Sequence, residues 1–449
     1  MEQKGKYEEI RSLMLDEIRR QMDMNRELSD EEIGSLIDDT IMERSHETYL
    51  GTLTKLSLRQ DLFNSIRRLG LLQELVDDRE ITEIMVNGPD HIFYEKHGQL
   101  YTWDKHFESR EKLEDIIQQI VARSGRYVNE AAPIVDARLS DGSRVNVVLN
   151  PVALEGPILT IRKFPDTPIT MQDLIRWHSL SVQAASCLRT LVLAGYNIFI
   201  SGATSTGKTT FLNVLADYIP KDARIITIED SAELQLSGAK NLVRLEARQK
   251  SGGTEEAVSI RDLIRASLRM RPDRIIVGEV RGPEALDMVQ AMNTGHDGSI
   301  STGHANSPED MLARLETMIL MGSDMPLRAI RGQIASSIDI IIQLGRLRDH
   351  SRRVIEITEL TGCDEEHYHL NPLYVFEEEL NGDGEVQDKS DILNNFHNSA
   401  VLREPPRHFG SKTAKAANTA LVRGSLKQTA NRLLDRRKLQ SAALDLDEI

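Results

Sequence analysis

The stretch SGATSTGKTT, Ser201–Thr210, decides the fold of this 449-residue chain. It holds two glycines and no bulky apolar side chain, although an apolar run, YNIFI at 196–200, leads directly into it. Residues 202–209 match the pattern G-x-x-x-x-G-K-[ST], in which glycines let successive backbone N–H groups turn towards phosphate oxygens. An amphipathic segment follows, which gives the order strand, loop, helix. The sequence therefore predicts a phosphate-binding loop, here called the P-loop (Gly202–Thr209).

The pattern predicts a role for each position of the loop. Lys208 is placed for the β- and γ-phosphates of a nucleotide, and Thr209 offers its hydroxyl to Mg²⁺. A side chain at Gly207 is expected to crowd the bound phosphate. The alternative, a surface turn rich in Gly, Ser and Thr, leaves the flanking strand and helix unexplained. The predicted nucleotide-binding residues of this segment are Gly202, Thr204, Ser205, Thr206, Gly207, Lys208, Thr209 and Thr210.

Composition excludes several classes of protein. No apolar run approaches the ~20 residues that cross a bilayer, and the charged start lacks the apolar core of a secretion signal. With only Cys187 and Cys363, a four-cysteine zinc cluster and a disulfide framework are excluded, and a reducing cytoplasm is expected. The net charge of −15 argues against general nucleic-acid binding.

Changes in composition and in predicted secondary structure divide the chain into five parts. Residues 1–70 read as a helical extension, and 71–164 as a small α+β domain with a hairpin at Asp141-Gly142. Residues 165–180 read as a linker. Strands and amphipathic helices alternate over 181–385, which predicts an α/β domain whose sheet is covered by helices on both faces.

The remainder, 386–449, reads as a polar, basic tail that is disordered or helical. From Lys412 to Lys438 it carries eight Lys and Arg residues and one acidic residue, Asp435. Two interpretations stay open: a solvated basic tail, or contact with anionic lipid or a protein partner.

Acidic residues end two of the candidate strands. Glu279 closes RIIVGEV and is placed to hold Mg²⁺ through water or to orient an attacking water. The preceding position, often Asp, is Gly278, so metal ligation by that side chain is excluded. Glu229 closes RIITIE and is the preferred candidate to polarise the water, ahead of Glu233. The alternative for Glu279 is an acidic strand end exposed to solvent, and for Glu229 and Glu233 a helix N-terminal region that favours acids.

Histidines and arginines complete the candidates. His296 and His304 flank a short strand. Metal ligation is one interpretation; a hydrogen bond from His304 to the γ-phosphate is the favoured one. Arginine gives permanent planar charge to phosphate, but arginines of the α+β domain reach a nucleotide only if the two domains close over it. Ordinary surface ion pairs are the alternative. The residues concerned are Arg138, Arg144 and Arg162.

With these residues assembled, the chain resembles the secretion ATPases of the type II/type IV superfamily. The matching stretches are GATSTGKTT, IITIEDSAELQL, LRMRPDRIIVGEVRGPEA, TGHDGSISTGHANSPEDMLARLE, PIVDARLSDGSRVNVVLNP and LTIRKF, within roughly residues 70–345. Within the superfamily, the chain is most similar to the tight-adherence (Flp) pilus assembly ATPase. The helical extension and the sequence RMRPDRIIVGEVRGPEA favour that branch. Beyond about Asn395 the chain departs from the family, so no role is carried over to that part.

The resemblance implies a RecA-like P-loop NTPase domain preceded by a PAS-like α+β domain. It implies Glu279 as the catalytic glutamate, with Glu229 and His304 beside it, and the three arginines near the nucleotide. It further implies ATP and Mg²⁺ as cofactors. The expected assembly is a homo-hexameric ring that hydrolyses ATP at the cytoplasmic membrane, peripherally bound to an inner-membrane platform protein.

Three alternatives remain open from the sequence. The same motor would serve a type IV secretion or conjugation machine equally well. A nucleotide-gated scaffold with little hydrolysis is disfavoured because both Glu229 and Glu279 are present. A P-loop kinase of a small metabolite is disfavoured by the arginine-bearing domain ahead of the motor.

Overall fold

The computed structural model describes residues 2–22, 28–47, 49–96, 98–164, 168–236, 238–248, 257–379 and 422–444. It forms two compact units, the first built on Met1–Pro168 and the second on Ile169–Gln249 with Ala257–Ile449. Within the described ranges, no helix combines the length and the apolar character needed to span a membrane.

The first unit begins with three helices: α1 (Glu2–Gln21), α2 (Asp30–Glu47) and α3 (Thr52–Arg67). Helix α2 starts with reciprocal hydrogen bonds between Ser29 and Glu32, the backbone N–H of each donating to the side chain of the other at 2.8 and 3.2 Å. Apolar side chains at helical spacing form a small core between the three helices, including Met14, Ile18, Ile33, Ile37, Leu58 and Leu62.

A six-stranded antiparallel sheet follows. Its elements are α4 (Gln73–Asp77), β1 (Ile81–Asn87), β2 (His91–Lys96), β3 (Gln99–Thr102), α5 (Arg110–Arg123), β4 (Ile134–Arg138), β5 (Arg144–Val148) and β6 (Ile158–Arg162), in the strand order β3-β2-β1-β6-β5-β4. Helix α5 buries Leu113, Ile117 and Ile120 in the core of this unit. The predicted turn at Asp141-Gly142 joins β4 to β5, with Gly142 at φ 91°.

The second unit is built on a nine-stranded sheet in the order β15-β14-β13-β12-β7-β11-β10-β8-β9. Strands from β12 to β9 are parallel, and those from β12 to β15 are antiparallel. The elements are α6 (Met171–Arg176), α7 (Val182–Ala194), β7 (Ile198–Gly202), α8 (Lys208–Ala216), β8 (Arg224–Glu229), β9 (Asn241–Glu246), α9 (Ile260–Ser267), β10 (Arg274–Val277), α10 (Glu284–Asn293), β11 (Ile300–Gly303), α11 (Pro308–Leu320), α12 (Leu327–Ser337), β12 (Ile340–Arg346), β13 (Arg352–Cys363), β14 (Tyr368–Glu378), β15 (Gly424–Gln428) and α13 (Arg437–Ser441).

Both faces of this sheet are buried. Side chains alternate along each strand, so Ile198 and Ile200 enter the core under α7 and α8, whereas Phe199 enters the core under α9 to α12. Such a sheet needs near-continuous apolar strands, which is what the sequence has at RIIV and IIIQL. The predicted fold class is confirmed: a RecA-like α/β P-loop domain, a smaller α+β domain before it and a helical extension at the start.

The C-terminal region differs from the prediction of a disordered or helical tail over residues 422–444. Strand β15 pairs with β14, and α13 follows, with Leu426, Leu433 and Leu439 in the core of the second unit. The sequence pattern was weak because β15 is a short edge strand that depends on its neighbour for pairing. Residues 386–421 and 445–449 of the predicted tail lie outside the described residues.

Cations of this segment pair with acids of the same unit. Lys438 lies 2.7 Å from Asp339 and 2.8 Å from Asp297, and Lys427 lies 2.9 Å from Glu377. Lys427 and Lys438 are therefore paired within the chain, while contact of the segment with anionic lipid or a protein partner stays a prediction.

We predict that Glu359 fastens the C-terminal segment. Its carboxylate is 2 % exposed and accepts the backbone N–H groups of Leu434 (2.9 Å) and Asp435 (2.7 Å). Glu359→Ala removes a buried acceptor and leaves these donors without it, so the free energy of unfolding should fall by about 1–3 kcal/mol in urea titrations. Glu377→Ala, which breaks only an exposed ion pair with Lys427, should cost at most ~1 kcal/mol. Equal losses in the two variants would contradict this role.

Candidate functional site

The P-loop joins the central strand β7 to helix α8 and is shaped by two glycines. A Cβ on Gly202 would lie 2.7 Å from Thr206 Oγ1 and 2.8 Å from the carbonyl oxygen of Leu344, so this position has no room for a side chain. Gly207 has φ 92°, in the left-handed region that other residues avoid. This adds a backbone reason to the crowding expected from the sequence.

The loop has the form that a phosphate group requires. Its curl brings the chain to the N-terminus of α8, where backbone N–H groups lack intrahelical partners and favour an anion. Thr204 and Ser205 are exposed at the tip of the loop, and Thr209 and Thr210 are partly exposed on the first turn of α8. These residues fit the triphosphate of a nucleotide, and the hydroxyl of Thr209 fits its Mg²⁺.

Lys208 lies folded back over the loop. Its ammonium donates to the carbonyl oxygens of Gly202 (2.9 Å) and Ala203 (3.0 Å), and it lies 3.1 Å from His304 Nδ1. Burial lowers the pKa of Lys208 to about 8, while the negative charge of Glu279 acts in the opposite direction. The cation is thus held beside the loop by two carbonyl oxygens and a ring nitrogen.

A chain of polar contacts runs from Lys208 to Glu279 through His304. His304 Nε2 lies 2.8 Å from Glu279 Oε1, and His304 Nδ1 faces the ammonium of Lys208. Burial lowers the pKa of His304, the cation of Lys208 lowers it further, and Glu279 opposes both. The neutral ring satisfies both contacts if Nδ1 accepts from Lys208 and Nε2–H donates to Glu279, an assignment that follows from the partners.

Glu229 lies one strand away from Glu279, on a row shared with Gly278 and Thr302. Val277 pairs with Ile228 on one side and Ser301 on the other, so the next residue, Gly278, lies between Glu229 and Thr302. A Cβ on Gly278 would lie 2.9 Å from Glu229 Cγ. The space beside position 278 is therefore taken by the side chain of Glu229, which explains why the sequence has glycine there.

The carboxyl group of Glu229 is buried, and only one of its two oxygens accepts hydrogen bonds from the described residues. It is 3 % exposed; Oε1 accepts the backbone N–H groups of Glu233 (2.8 Å) and Leu234 (3.0 Å), and Oε2 has no hydrogen-bond partner among the described residues. Burial raises the pKa of Glu229 to about 7, against the two backbone bonds that lower it. A buried carboxyl with a pKa near neutrality, at the same edge of the sheet as the P-loop, suits proton transfer or water activation.

Other residues singled out in the sequence lie elsewhere. His296 Nδ1 lies 3.1 Å from the carbonyl oxygen of Ala291, near the start of β11, whereas His304 follows its end. The two histidines therefore lie at opposite ends of one strand, and a metal site that uses both is excluded. Glu233 contributes its backbone N–H to Glu229.

The three arginines form a row in the first unit. Arg144 pairs with Arg138 on β4 and with Arg162 on β6, so three neighbouring strands present guanidinium groups at one level of that sheet. Such a row favours a polyanion. Their contact with the nucleotide stays a prediction.

Sequence reasoning missed three residues near the loop. Arg352 Nε donates to the carbonyl oxygen of Ser205 at 3.0 Å, Arg281 pairs with Asp230, and the hydroxyl of Thr302 donates to the carbonyl oxygen of Gly278 at 2.7 Å. Arg352 is far from the P-loop along the chain and lies outside any motif, so no local sequence pattern predicts its contact with the loop.

Comparison with known proteins agrees with this architecture. Residues 67–381 match the family model described as type II/IV secretion system protein. A putative conjugal transfer protein of Mycobacterium tuberculosis is 32% identical over 317 residues, which is 69% of this chain and 90% of the relative. An uncharacterized protein of Methanocaldococcus jannaschii is 42% identical over 255 residues, or 55% of this chain, and the match spans 35% of that longer relative.

A solved structure also resembles the chain. The VirB11 ATPase of the Brucella suis type IV secretion system, in complex with sulphate, has 28% sequence identity and a TM-score of 0.36, covering 64% of this chain and 95% of that one. The family match covers most of the chain, from the α+β sheet through the P-loop strands to β14. The chain belongs to the type II/IV secretion system protein family.

Proposed function

We propose that this protein is a Mg²⁺-dependent ATPase that hydrolyses ATP to ADP and phosphate. The observation that carries the proposal is the contact chain from Lys208 through His304 to Glu279 at the mouth of the P-loop. This contact chain links Lys208, the cation proposed to bind the phosphates, to Glu279, the carboxylate proposed to orient the attacking water. Binding of a γ-phosphate would therefore change the surroundings of both side chains. Membership of the family supports the same activity.

Each residue of the site has a defined task in this proposal. The P-loop amides and Lys208 hold the phosphates, and Lys208 leaves the carbonyl oxygens of Gly202 and Ala203 to do so. Thr209 and Glu279 are the residues that would hold Mg²⁺, Glu279 through water, and the ion would supply positive charge to the phosphates. Glu279 orients the attacking water, Glu229 accepts its proton, and His304 turns from Lys208 towards the γ-phosphate.

The proposal extends to assembly and partners. We propose a homo-hexameric ring at the cytoplasmic face of the membrane in which the row Arg138, Arg144 and Arg162 contacts the nucleotide. Loss of the γ-phosphate would release those contacts, as in other order-and-release switches. A platform protein of the inner membrane would convert the free energy of hydrolysis into growth of a tight-adherence pilus; no nucleic-acid partner is expected.

The rival proposal with a specific observation in its favour is a conjugation or type IV secretion motor. The mycobacterial relative carries a conjugal transfer name, and the P-loop chemistry is the same in both cases. Genes for pilins and a platform protein beside this one would favour the pilus. A scaffold with little hydrolysis and a small-molecule kinase are both tested by phosphate release from purified protein without an added acceptor.

Replacing Glu279 tests the hydrolytic role. Glu279→Gln keeps the shape and the contact with His304 but removes the charge that orients water, so kcat should fall by about 10²–10⁴ while ATP still binds. Phosphate release and equilibrium binding of a fluorescent ATP analogue measure the two effects. Glu365→Gln, in an exposed pair with Arg328, is the control and should behave as wild type. Retained turnover in Glu279→Gln would refute the assigned role.

The titration of the site predicts a narrow pH optimum. The pKa of Glu229 is raised to about 7 and that of Lys208 is lowered to about 8. As pH rises, kcat/KM should increase while Glu229 loses its proton and then decrease while Lys208 loses its proton, because kcat/KM reports the free enzyme. Residual activity of Glu229→Gln should lack the rising limb and keep the falling one. A rising limb that persists in that variant would assign it to another group.

Ring formation is tested by native mass measurement. With a non-hydrolysable ATP analogue, the main species should have six times the chain mass of 50.6 kDa. Lys208→Ala, which removes the phosphate-binding cation, should lose any dependence of that species on nucleotide. A monomer under all conditions would contradict the ring.

A further inference from the structure

Glu279 lies just beyond the end of β10, where regular strand pairing has stopped. The strand ends at Val277, and Glu279 is followed by an irregular segment before α10 begins at Glu284. The backbone at Glu279 therefore depends on individual hydrogen bonds rather than on a ladder. Those bonds decide where its carboxylate stands relative to the P-loop.

Thr302 supplies such bonds on both sides of Glu279. Its hydroxyl donates to the carbonyl oxygen of Gly278 at 2.7 Å, and its own carbonyl oxygen accepts the backbone N–H of Val280 at 2.9 Å. The two bonds clasp the residues immediately before and after Glu279. Thr302 is 2 % exposed on β11, a central strand with parallel neighbours on both sides.

Gly278 is fixed from its remaining directions as well. Its N–H donates to the carbonyl oxygen of Ile228 at 2.8 Å, and the side chain of Glu229 fills the space where a Cβ would stand. With the hydroxyl of Thr302 on its carbonyl oxygen, the N–H and the carbonyl group of Gly278 are both hydrogen-bonded. Because Thr302 is β-branched, its χ1 is restricted, which suits a fixed donor.

We infer that Thr302 is a positioning residue for Glu279, which holds the carboxylate at the distance from the P-loop that hydrolysis requires. It also leads directly into the histidine that contacts Glu279, because His304 follows two residues later. Thr302 touches neither nucleotide nor water in this role, which rests on the ATPase activity proposed above. Since a displacement of ~1 Å at a reacting group can cost up to 10²-fold in rate, one hydroxyl is enough to matter.

The test compares Thr302→Val with Thr302→Ser. Valine keeps the shape and removes the donor, so kcat for phosphate release should fall roughly tenfold to a hundredfold with KM for ATP within about twofold. Serine keeps the hydroxyl and should restore most of kcat. Should the valine variant fold poorly, Thr302→Ala against Thr302→Ser makes the same comparison, with thermal melting to report the folded fraction.

Thr227→Val is the matched control. Thr227 is 1 % exposed on β8, two residues before Glu229 on the same face, and its hydroxyl has no hydrogen-bond partner among the described residues. Its replacement should leave kcat unchanged. Wild-type kcat in Thr302→Val, an equal loss in Thr227→Val, or no recovery in Thr302→Ser would overturn the inference. A wild-type protein that releases no phosphate would overturn the proposed activity itself, and this inference with it.

Discussion

The parallel register of four strands is the constraint on which the site depends. Strands β7, β11, β10 and β8 run in one direction, so the residues that follow their ends meet at a single edge of the sheet. This brings the P-loop, His304, Glu279 and Glu229 together although they are spread over a hundred residues of sequence. A shift of one residue between β8 and β10 would turn Glu229 to the opposite face of the sheet.

Burial gives these groups their chemistry. Desolvation opposes charge on both an ammonium and a carboxyl, so the pKa of Lys208 is lowered and the pKa of Glu229 is raised. Each shift moves the pKa of the group towards neutral pH. The neutral ring of His304 separates the cation of Lys208 from the carboxylate of Glu279 and contacts both.

The antiparallel half of the sheet gives the second unit a second kind of support. Strands β12 to β15 extend the parallel sheet on the side of β7, and the segment 422–444 returns to close it. Lys438 reaches Asp339, the residue before β12, whose carboxylate also accepts the backbone N–H of Asn197, the residue before β7. The end of the sheet opposite the P-loop is thus fastened by the C-terminal segment. At the P-loop end, Glu279 and His304 are partly exposed, whereas Lys208 and Glu229 are buried.

Local patterns in the sequence determined the α/β class, the P-loop and the acids at the strand ends. Glycine spacing, apolar runs and the residues that close them are all visible within ten residues of chain. Only the tertiary structure decided four other features. Gly278 leaves space for the side chain of Glu229, and Thr302 bonds to the residues on either side of Glu279. Arg352 contacts the P-loop, and residues 422–444 return to the edge of the sheet. Each depends on which strands become neighbours and in what register, and that choice is made by the packing of the whole sheet. The sequence of a single strand does not indicate which strands will be its neighbours or in what register they will pair.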